Sequence, residues 1–420
     1  MKMRRHYNWD LVTKTKASFK EHLTLSGMCS ICTMDGICEI GLKAKVGRTL
    51  FPEPFGTAQF GAEKRLPSLQ DIQILPEIFG REVIFRRVST FCKLGGFKVS
   101  FPASIAALGS TKVAHLRGKE LAEGAAKAGI ITVIGENIFP TYGEEGLKAR
   151  IKPFLENYEK EGAVLVQGNV EDRKLGVLEK AIEFGAHGVE LKFGQGAKQG
   201  LGGEIRFSSK EDAERYKKLG YTVIQRPDGS FERHSSPGSI EKEEVRKLLI
   251  RYSELGVPIW AKIGIGRGIV EFLELLSEMK REQGVKLEAV TVDGHGGGTG
   301  MSPWLVMNET SIPSPCLLSK RRNFNFDLLV AGGFADGISI AKALMLGAKG
   351  VAMGRAFLVA ASVGKSNGIV KFVDALREEL QMICAMLRIK SVDKLIGRRE
   401  NLIALNDEAA RLFGLLSEFS

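Results

Sequence analysis

Long apolar runs are missing from these 420 residues. No stretch approaches the roughly 20 residues needed to cross a bilayer, and the most apolar window, 350–364, carries Arg355 in its middle. Cysteine is scarce, at six, which excludes a disulfide framework and leaves reduced thiols or metal ligands. No apolar segment follows the basic start MKMRRHYNWD, so an export signal is not expected and a cytoplasmic protein is. Nor is there a concentrated basic block. The net charge is +11, but no Lys/Arg run is longer than Lys320-Arg321-Arg322. That argues against nucleic acid and leaves an acidic partner protein or anionic small ligands. The remainder, 44% hydrophobic and 26% charged, is ordinary for a globular chain with a sizeable core.

Glycine is what the chain has, 49 in all, and its densest run falls in one loop. Residues 287–303 read LEAVTVDGHGGGTGMSP, a buried-strand pattern that ends at Asp293 and runs into Gly294, Gly296, Gly297, Gly298 and Gly300. Glycine removes the Cβ that blocks close approach to the main chain. The loop therefore suits a phosphate or a flat cofactor ring, with a flexible turn as the plain alternative.

Three segments are expected. Residues 1–95 form an extension containing Cys29, Cys32 and Cys38, spaced C-x2-C-x5-C. Thiolates at that spacing chelate an iron–sulfur cluster or, less favoured, zinc, with Cys92 or a group outside the segment as fourth ligand. Three unligated cysteines are the alternative. Residues 96–365 alternate strands and helices. Strands are expected at 97–102, 130–134, 163–166, 188–193, 257–263, 287–292, 327–330 and 350–353, with helices near 112–128, 144–160, 173–184, 240–255, 267–282 and 337–346. A hairpin is expected over YTVIQ-RPDG-SFERH, after a helix near 210–218. Unbroken apolar strands indicate that both faces are buried. Eight such units in about 260 residues match a (β/α)8 TIM barrel, with an open doubly wound sheet as the alternative. Residues 366–420 read as helices, amphipathic around 370–387 and 402–416, that cap the barrel or contact another subunit.

In such a barrel the C-terminal strand ends share one mouth. They are Ala103-Ser104, Gly135-Glu136, Gln167, Lys192, Lys262, Asp293, Gly332-Gly333 and Gly354-Arg355. The last two loops suit a phosphate held on backbone N–H groups, with Arg355 adding a charged contact. Lys192 and Lys262 sit in apolar strands, where an unpaired ammonium is costly. They point to an anion or to a flavin, whose reduced ring is negative near N1, or to structural ion pairs with Glu136 or Glu190. His295 is an acid, a hydrogen-bond donor to substrate, or an idle loop residue.

Assembled, these residues resemble the FMN-binding synthase domain of glutamate synthase in its stand-alone form. The resemblance spans about 100–365 and is carried by QGAKQGLGG (195–203), DGHGGGTGMSP (293–303), KIGIG (262–266), PASIAALGS (102–110) and GEN (135–137). It implies an FMN site and reduction of 2-iminoglutarate, made from 2-oxoglutarate and ammonia, to L-glutamate. It places Ala103, Ser104, Lys262, Gly296, Gly297 and Gly298 at the flavin, and Gly332, Gly333, Gly354 and Arg355 at its phosphate. Lys192 and Lys262 are the catalytic candidates, and Gln195, Lys198 and His295 line the substrate side. Two positions depart from the family motif: Gln199 replaces its Pro and Leu201 its Glu. No glutaminase domain is recognisable, so a separate glutaminase subunit is implied, with an electron-donor protein reaching the Cys29 segment. A homo-oligomer is expected. The departures also suit an N-methylglutamate synthase large subunit, another flavin-dependent barrel oxidoreductase or isomerase (an IMP-type dehydrogenase would use Cys316), or a non-catalytic electron-transfer scaffold.

Overall fold

The computed structural model describes residues 66–196, 199–202, 204–236, 241–295, 297, 310–320 and 322–417. Eight parallel strands close into a barrel. In chain order they are β1 (Ala103–Leu108), β2 (Ile131–Ile134), β3 (Ala163–Gly168), β4 (Gly188–Lys192), β5 (Ile259–Gly264), β6 (Leu287–Asp293), β7 (Asp327–Ala331) and β8 (Gly350–Met353). Each pairs with the next, and β8 closes on β1. The helices between them are α1 (Gly118–Ala128), α2 (Ile138–Glu156), α3 (Val177–Glu183), α4 (Lys242–Ser253), α5 (Ile269–Gln283) and α6 (Gly337–Leu346), and α7 (Arg355–Met386) follows β8. The TIM-barrel expectation is met, and the open sheet is excluded.

The inner face of the barrel is graded. Its floor is a core of Ile131, Val133, Ala163, Leu165, Trp260, Ala289 and Leu329, joined by Leu94 and Val99. Side chains along a strand return to the same face every second residue. Moving up, Leu165 is therefore followed by Gln167, Trp260 by Lys262, and Ala289 by Thr291 and Asp293. Register places Glu190 beside Trp260 and Lys192 beside Lys262. Apolar packing thus gives way to charge at the mouth.

The first strand differs from expectation. Residues 97–102 are not a barrel strand. Phe97–Val99 pairs antiparallel with Cys92–Leu94 to make a hairpin that plugs the floor. The turn forces this: Gly95 (φ +55) and Gly96 (φ +92) adopt left-handed backbone and reverse the chain. Trp260 Nε1 donates to the Gly95 carbonyl at 2.9 Å, and Gly95 N donates to Asp327 Oδ2 at 2.8 Å. As a result β1 begins only at Ala103.

Above the opposite end, the β4–β5 connection forms a small roof. It is a three-stranded antiparallel sheet in which the expected hairpin, Thr222–Gln225 and Phe231–His234, gains an unexpected third strand, Glu204–Phe207. The helix Lys210–Lys218 lies between its strands in sequence. The tail differs too. α7 is one 32-residue helix kinked at Lys365 (φ 53). It is the one described helix long and apolar enough to cross a bilayer, and it lies on α1, where Gly124 lets Ile369 approach closely. Residues 402–416 are not a single helix. Leu402–Ala404 is a strand paired with Ile72–Ile74, and only Asp407–Phe413 is helical.

A Cβ on Gly95 would stand 2.3 Å from the Trp260 ring, at a φ of +55. Gly95→Ala is expected to destabilise the protein by about 2 kcal/mol or more. Urea unfolding that shows no loss would contradict the plug.

Candidate active site

Lys262 ends the inward series on β5 and is 6% exposed. Its ammonium lies 3.4 Å from Asp293 Oδ2 on neighbouring β6. Burial alone would drive this lysine to lose its proton, but Asp293, then Glu190 and Glu136, outweigh burial and raise its pKa. Glu190, also inward and 2% exposed, accepts a hydrogen bond from Gln167 Nε2. Burial raises the Glu190 pKa, and Lys262 and Gln167 oppose that shift. Lys192, at the end of β4, pairs through Nζ with Glu136 Oε1 from the loop after β2. Of the ion pairs foreseen, Lys192–Glu136 is present, whereas Lys262 pairs with Asp293 rather than with Glu136 or Glu190, and the two lysines stand side by side at the mouth.

Backbone surrounds this cluster on the β6–β8 side. Gly297 packs so tightly that a Cβ there would overlap the Asp293 carboxylate, and its N–H donates to the Gly294 carbonyl at 2.8 Å. Gly294 N in turn donates to the Ala331 carbonyl at 2.9 Å, tying the glycine loop to β7. Gly332 (φ +109) and Gly333 (φ +88) follow directly. Gly354 ends β8 at the N-terminus of α7, and the one atom near its missing Cβ is Leu108 Cδ2, at 3.7 Å. Arg355 is partly buried beside it. Desolvation pulls its pKa down to about 9 and Asp293 opposes that pull, so the guanidinium stays charged at neutral pH.

His295 is 5% exposed. Its Nδ1 lies 3.1 Å from the Thr310 carbonyl, which can only accept, so Nδ1 carries the hydrogen. Burial lowers its pKa, which keeps the ring neutral with Nε2 as an acceptor. The partly exposed placement that the idle reading assumed is not what the loop shows.

Gln195 is partly buried in the loop after β4. Lys198, Gly296 and Gly298 lie outside the described residues, as do Cys29, Cys32 and Cys38. Among the described residues no three His, Cys, Asp or Glu groups converge to hold a metal ion. Cys92, the suggested fourth ligand, belongs to the floor hairpin, and burial pushes its thiol up to about 12. Cys316 is likewise 5% exposed and pushed up to about 12 by burial, which makes it a poor nucleophile.

The later start of β1 moves Ala103 away from the mouth. It opens the strand and packs in the layer between sheet and helices. Ser104 is second in the strand and pairs with Ile131 of the floor, so it too stands below the mouth; its buried hydroxyl has no hydrogen-bond partner, and neither has that of Thr291 on β6. Sequence reasoning read Gln199 only as a departure from the family motif. Its Oε1 accepts from Gly264 N at 2.7 Å and its Nε2 donates to the Phe193 carbonyl at 3.2 Å, latching the ends of β4 and β5. The proline of the family motif could make neither bond. Leu201, the other departure, is 46% exposed.

Beside the Glu136–Lys192 pair lies Asp172, 1% exposed. Burial pushes its pKa from 3.8 to about 7, with Glu136 and Glu171 adding to the rise and the Asn137 and Asn169 amides opposing it.

With the geometry in place, known proteins can be compared. The FMN-dependent dehydrogenase family pattern matches residues 278–402, which take in β6, β7, β8 and α7. The cytochrome-type L-lactate dehydrogenase of Saccharomyces cerevisiae is 29% identical over 150 residues, 35% of this chain and 24% of the relative. The archaeal-type glutamate synthase [NADPH] of Thermotoga neapolitana is 25% identical over 315 residues, 65% of this chain and 58% of the relative. The chain thus spans less than two thirds of the length of these relatives. Among solved structures, the flavin-binding domain of baker's yeast flavocytochrome b2 matches with a TM-score of 0.57 at 20% identity, covering 84% of this chain and 79% of that one. An (S)-mandelate dehydrogenase chimera gives 0.56 at 18% identity, covering 80% and 88%. These structural likenesses show the shared fold. The segment 278–402 is thus similar to FMN-dependent dehydrogenases, on a barrel that shares their fold.

The residues present fit that cofactor. Gly332 and Gly333 are backbone without side chains, Gly354 leaves open space at a helix N-terminus, Arg355 supplies a cation, and Lys262 stays charged beside them.

The folded-state pKa of Asp172 lies above its ordinary value, so the folded form holds the proton more tightly, and stability is lost as pH rises from about 4 through about 7. The melting-temperature advantage of Asp172→Asn over wild type is expected to grow from pH 5 to pH 8. A constant difference would contradict the buried carboxyl.

Proposed function

We propose that the chain transfers two electrons between bound FMN and a small substrate that carries a carboxylate next to its reacting carbon. The observation that carries this reading is Lys262, charged and buried against Asp293, next to backbone stripped of side chains at Gly297, Gly332, Gly333 and Gly354. FMN, when bound, supplies the two-electron chemistry. Lys262 supports negative charge at the ring, and Asp293 and Glu190 keep that lysine protonated without solvent. Gly332, Gly333, Gly354 and Arg355 hold the phosphate. Gly296–298 are proposed at the ring. Lys192 attracts the substrate carboxylate, assisted by Gln195 and Lys198, and His295 accepts or returns a proton at Nε2.

Two reactions share this chemistry. The lactate and mandelate enzymes among the relatives are named for 2-hydroxy acids, and the family match over 278–402 favours a reaction of that type. Reduction of 2-iminoglutarate is supported by the motifs at 195–203 and 293–303 and by the longer match to glutamate synthases, 65% of this chain. That second reaction would draw ammonia from a glutaminase subunit, or methylamine directly, and electrons from a donor protein. A cytoplasmic homo-oligomer suits either reading.

Anaerobic spectra of the FMN-loaded protein separate the two. Bleaching of the flavin by L-lactate or (S)-mandelate supports the 2-hydroxy-acid reading. Reoxidation of reduced flavin by 2-oxoglutarate with ammonium, yielding glutamate, supports the other. Flavin unmoved by either would sink the proposal.

Gly354→Val tests the phosphate site. Its φ of −99 carries no left-handed strain, and an added Cβ would meet only Leu108 Cδ2 at 3.7 Å. The variant is expected to fold with near-normal stability while losing about 100-fold in FMN affinity. Unchanged affinity would remove the phosphate from this position.

A further inference from the structure

Three consecutive buried residues outside the ring of mouth side chains each reach a different loop. Glu171, Asp172 and Arg173 lie in the one-turn helix Val170–Lys174 that follows β3, and they are 5%, 1% and 5% exposed. Asp172 Oδ2 accepts from Asn169 N at 3.3 Å, as a helix cap would, but it also accepts from Asn137 N at 3.0 Å. Asn137 has φ +64, a left-handed conformation that asparagine adopts more readily than most non-glycine residues. The residue before it is Glu136, the partner of Lys192. Arg173 Nη1 donates to the Lys192 carbonyl at 3.3 Å and to the Gly168 carbonyl at 3.4 Å. Glu171 Oε1 accepts from Ser236 N at 2.8 Å, fixing the exit of the roof. A second tie to the roof runs through Asn137 Oδ1, which accepts from Tyr221 OH at 2.7 Å and Asn169 Nδ2 at 3.1 Å.

A capping box needs only the local Asn169–Asp172 exchange. The bonds to Asn137 and Lys192 go further: one residue fixes the backbone beside Glu136, and the next fixes the backbone of Lys192. Both halves of the ion pair are therefore held from one point, while the Glu136 and Lys192 side chains remain at the mouth. We infer that Glu171-Asp172-Arg173 is a positioning element for the substrate side of the mouth, with Asp172, through Asn137, holding Glu136 against Lys192. This inference rests on the proposed function for its consequence, since it assigns the Glu136–Lys192 pair to carboxylate binding. The geometric part stands without it.

The test uses the full chain, with and without FMN, and two variants. Asp172→Asn keeps a side-chain oxygen that can accept from Asn137 N; Asp172→Ala does not. The first readout is lysine reductive methylation followed by peptide mass spectrometry, which needs no flavin. Asp172→Ala is expected to raise labelling of Lys192 by about tenfold relative to the exposed Lys217, as a lost hydrogen bond to a charged group would. Asp172→Asn is expected to stay near wild type. The second readout is the flavin difference spectrum on titration with 2-oxoglutarate. Asp172→Ala is expected to weaken this ligand by about tenfold with FMN affinity unchanged, and Asp172→Asn to restore it. Unchanged Lys192 labelling in Asp172→Ala, a uniform rise at every lysine, or release of Lys192 by Asp172→Asn as well would each overturn the inference. If the wild type takes up no FMN, the proposed function fails and the labelling alone decides the positioning role. If Asp172→Ala does not fold, the Asn137 amide of the wild type decides: slow hydrogen exchange is expected, and exchange at the rate of an open loop would overturn it.

Discussion

The mouth of this barrel is built around one ammonium kept charged out of water. Lys262 would lose its proton at this depth if it stood alone, because desolvation penalises the charged form. Asp293 at 3.4 Å, with Glu190 and Glu136 behind it, reverses that tendency. The arrangement constrains its neighbours. Glu190 is supported by Gln167, Asp293 is boxed in by Gly297, and Arg355 feels the same carboxylate from the β8 side. Removing one member would leave an uncompensated buried charge.

That concentration of charge is possible because the rest of the barrel is conventional. The floor is closed by the Gly95 hairpin against Trp260, and the inner layer below Lys262 is apolar. Rigidity at the bottom lets the top carry groups that cost stability. Asp172, buried with its pKa pushed up to about 7, shows the same trade on the substrate side. The side of the mouth made by β6, β7 and β8 is mostly main chain, and the side made by β2, β3 and β4 is mostly charged side chains. A phosphorylated ring and a carboxylate substrate call for that division.

Much of this was legible in the sequence. Unbroken apolar strands such as ITVI and IWAKIG announced a sheet buried on both faces, and the barrel expectation placed the ends of the Lys192 and Lys262 strands at one mouth. The glycine run after Asp293 marked close approach of the backbone. What escaped reading depended on contacts distant in sequence. FKVSFP has strand composition, yet the Gly95-Gly96 reversal and the Trp260 indole turn its first half into a plug and delay β1 to Ala103. Residues 402–416 are apolar at helical spacing, but pairing with Ile72–Ile74 draws the first three into a strand. Gln199 looked like a flaw in a family motif until its two bonds across β4 and β5 were visible. The Glu171-Asp172-Arg173 triplet reads as a solvated charge run, and only its burial shows otherwise.

The most direct test of the central claim is the two-electron reduction potential of bound FMN in wild type and in Lys262→Met. A buried ammonium at the mouth stabilises the reduced, anionic ring, so the variant is expected to bind FMN at a potential lower by about 30 mV or more. An unchanged potential would contradict the account, because it would mean that the charge held by Asp293 does not face the flavin.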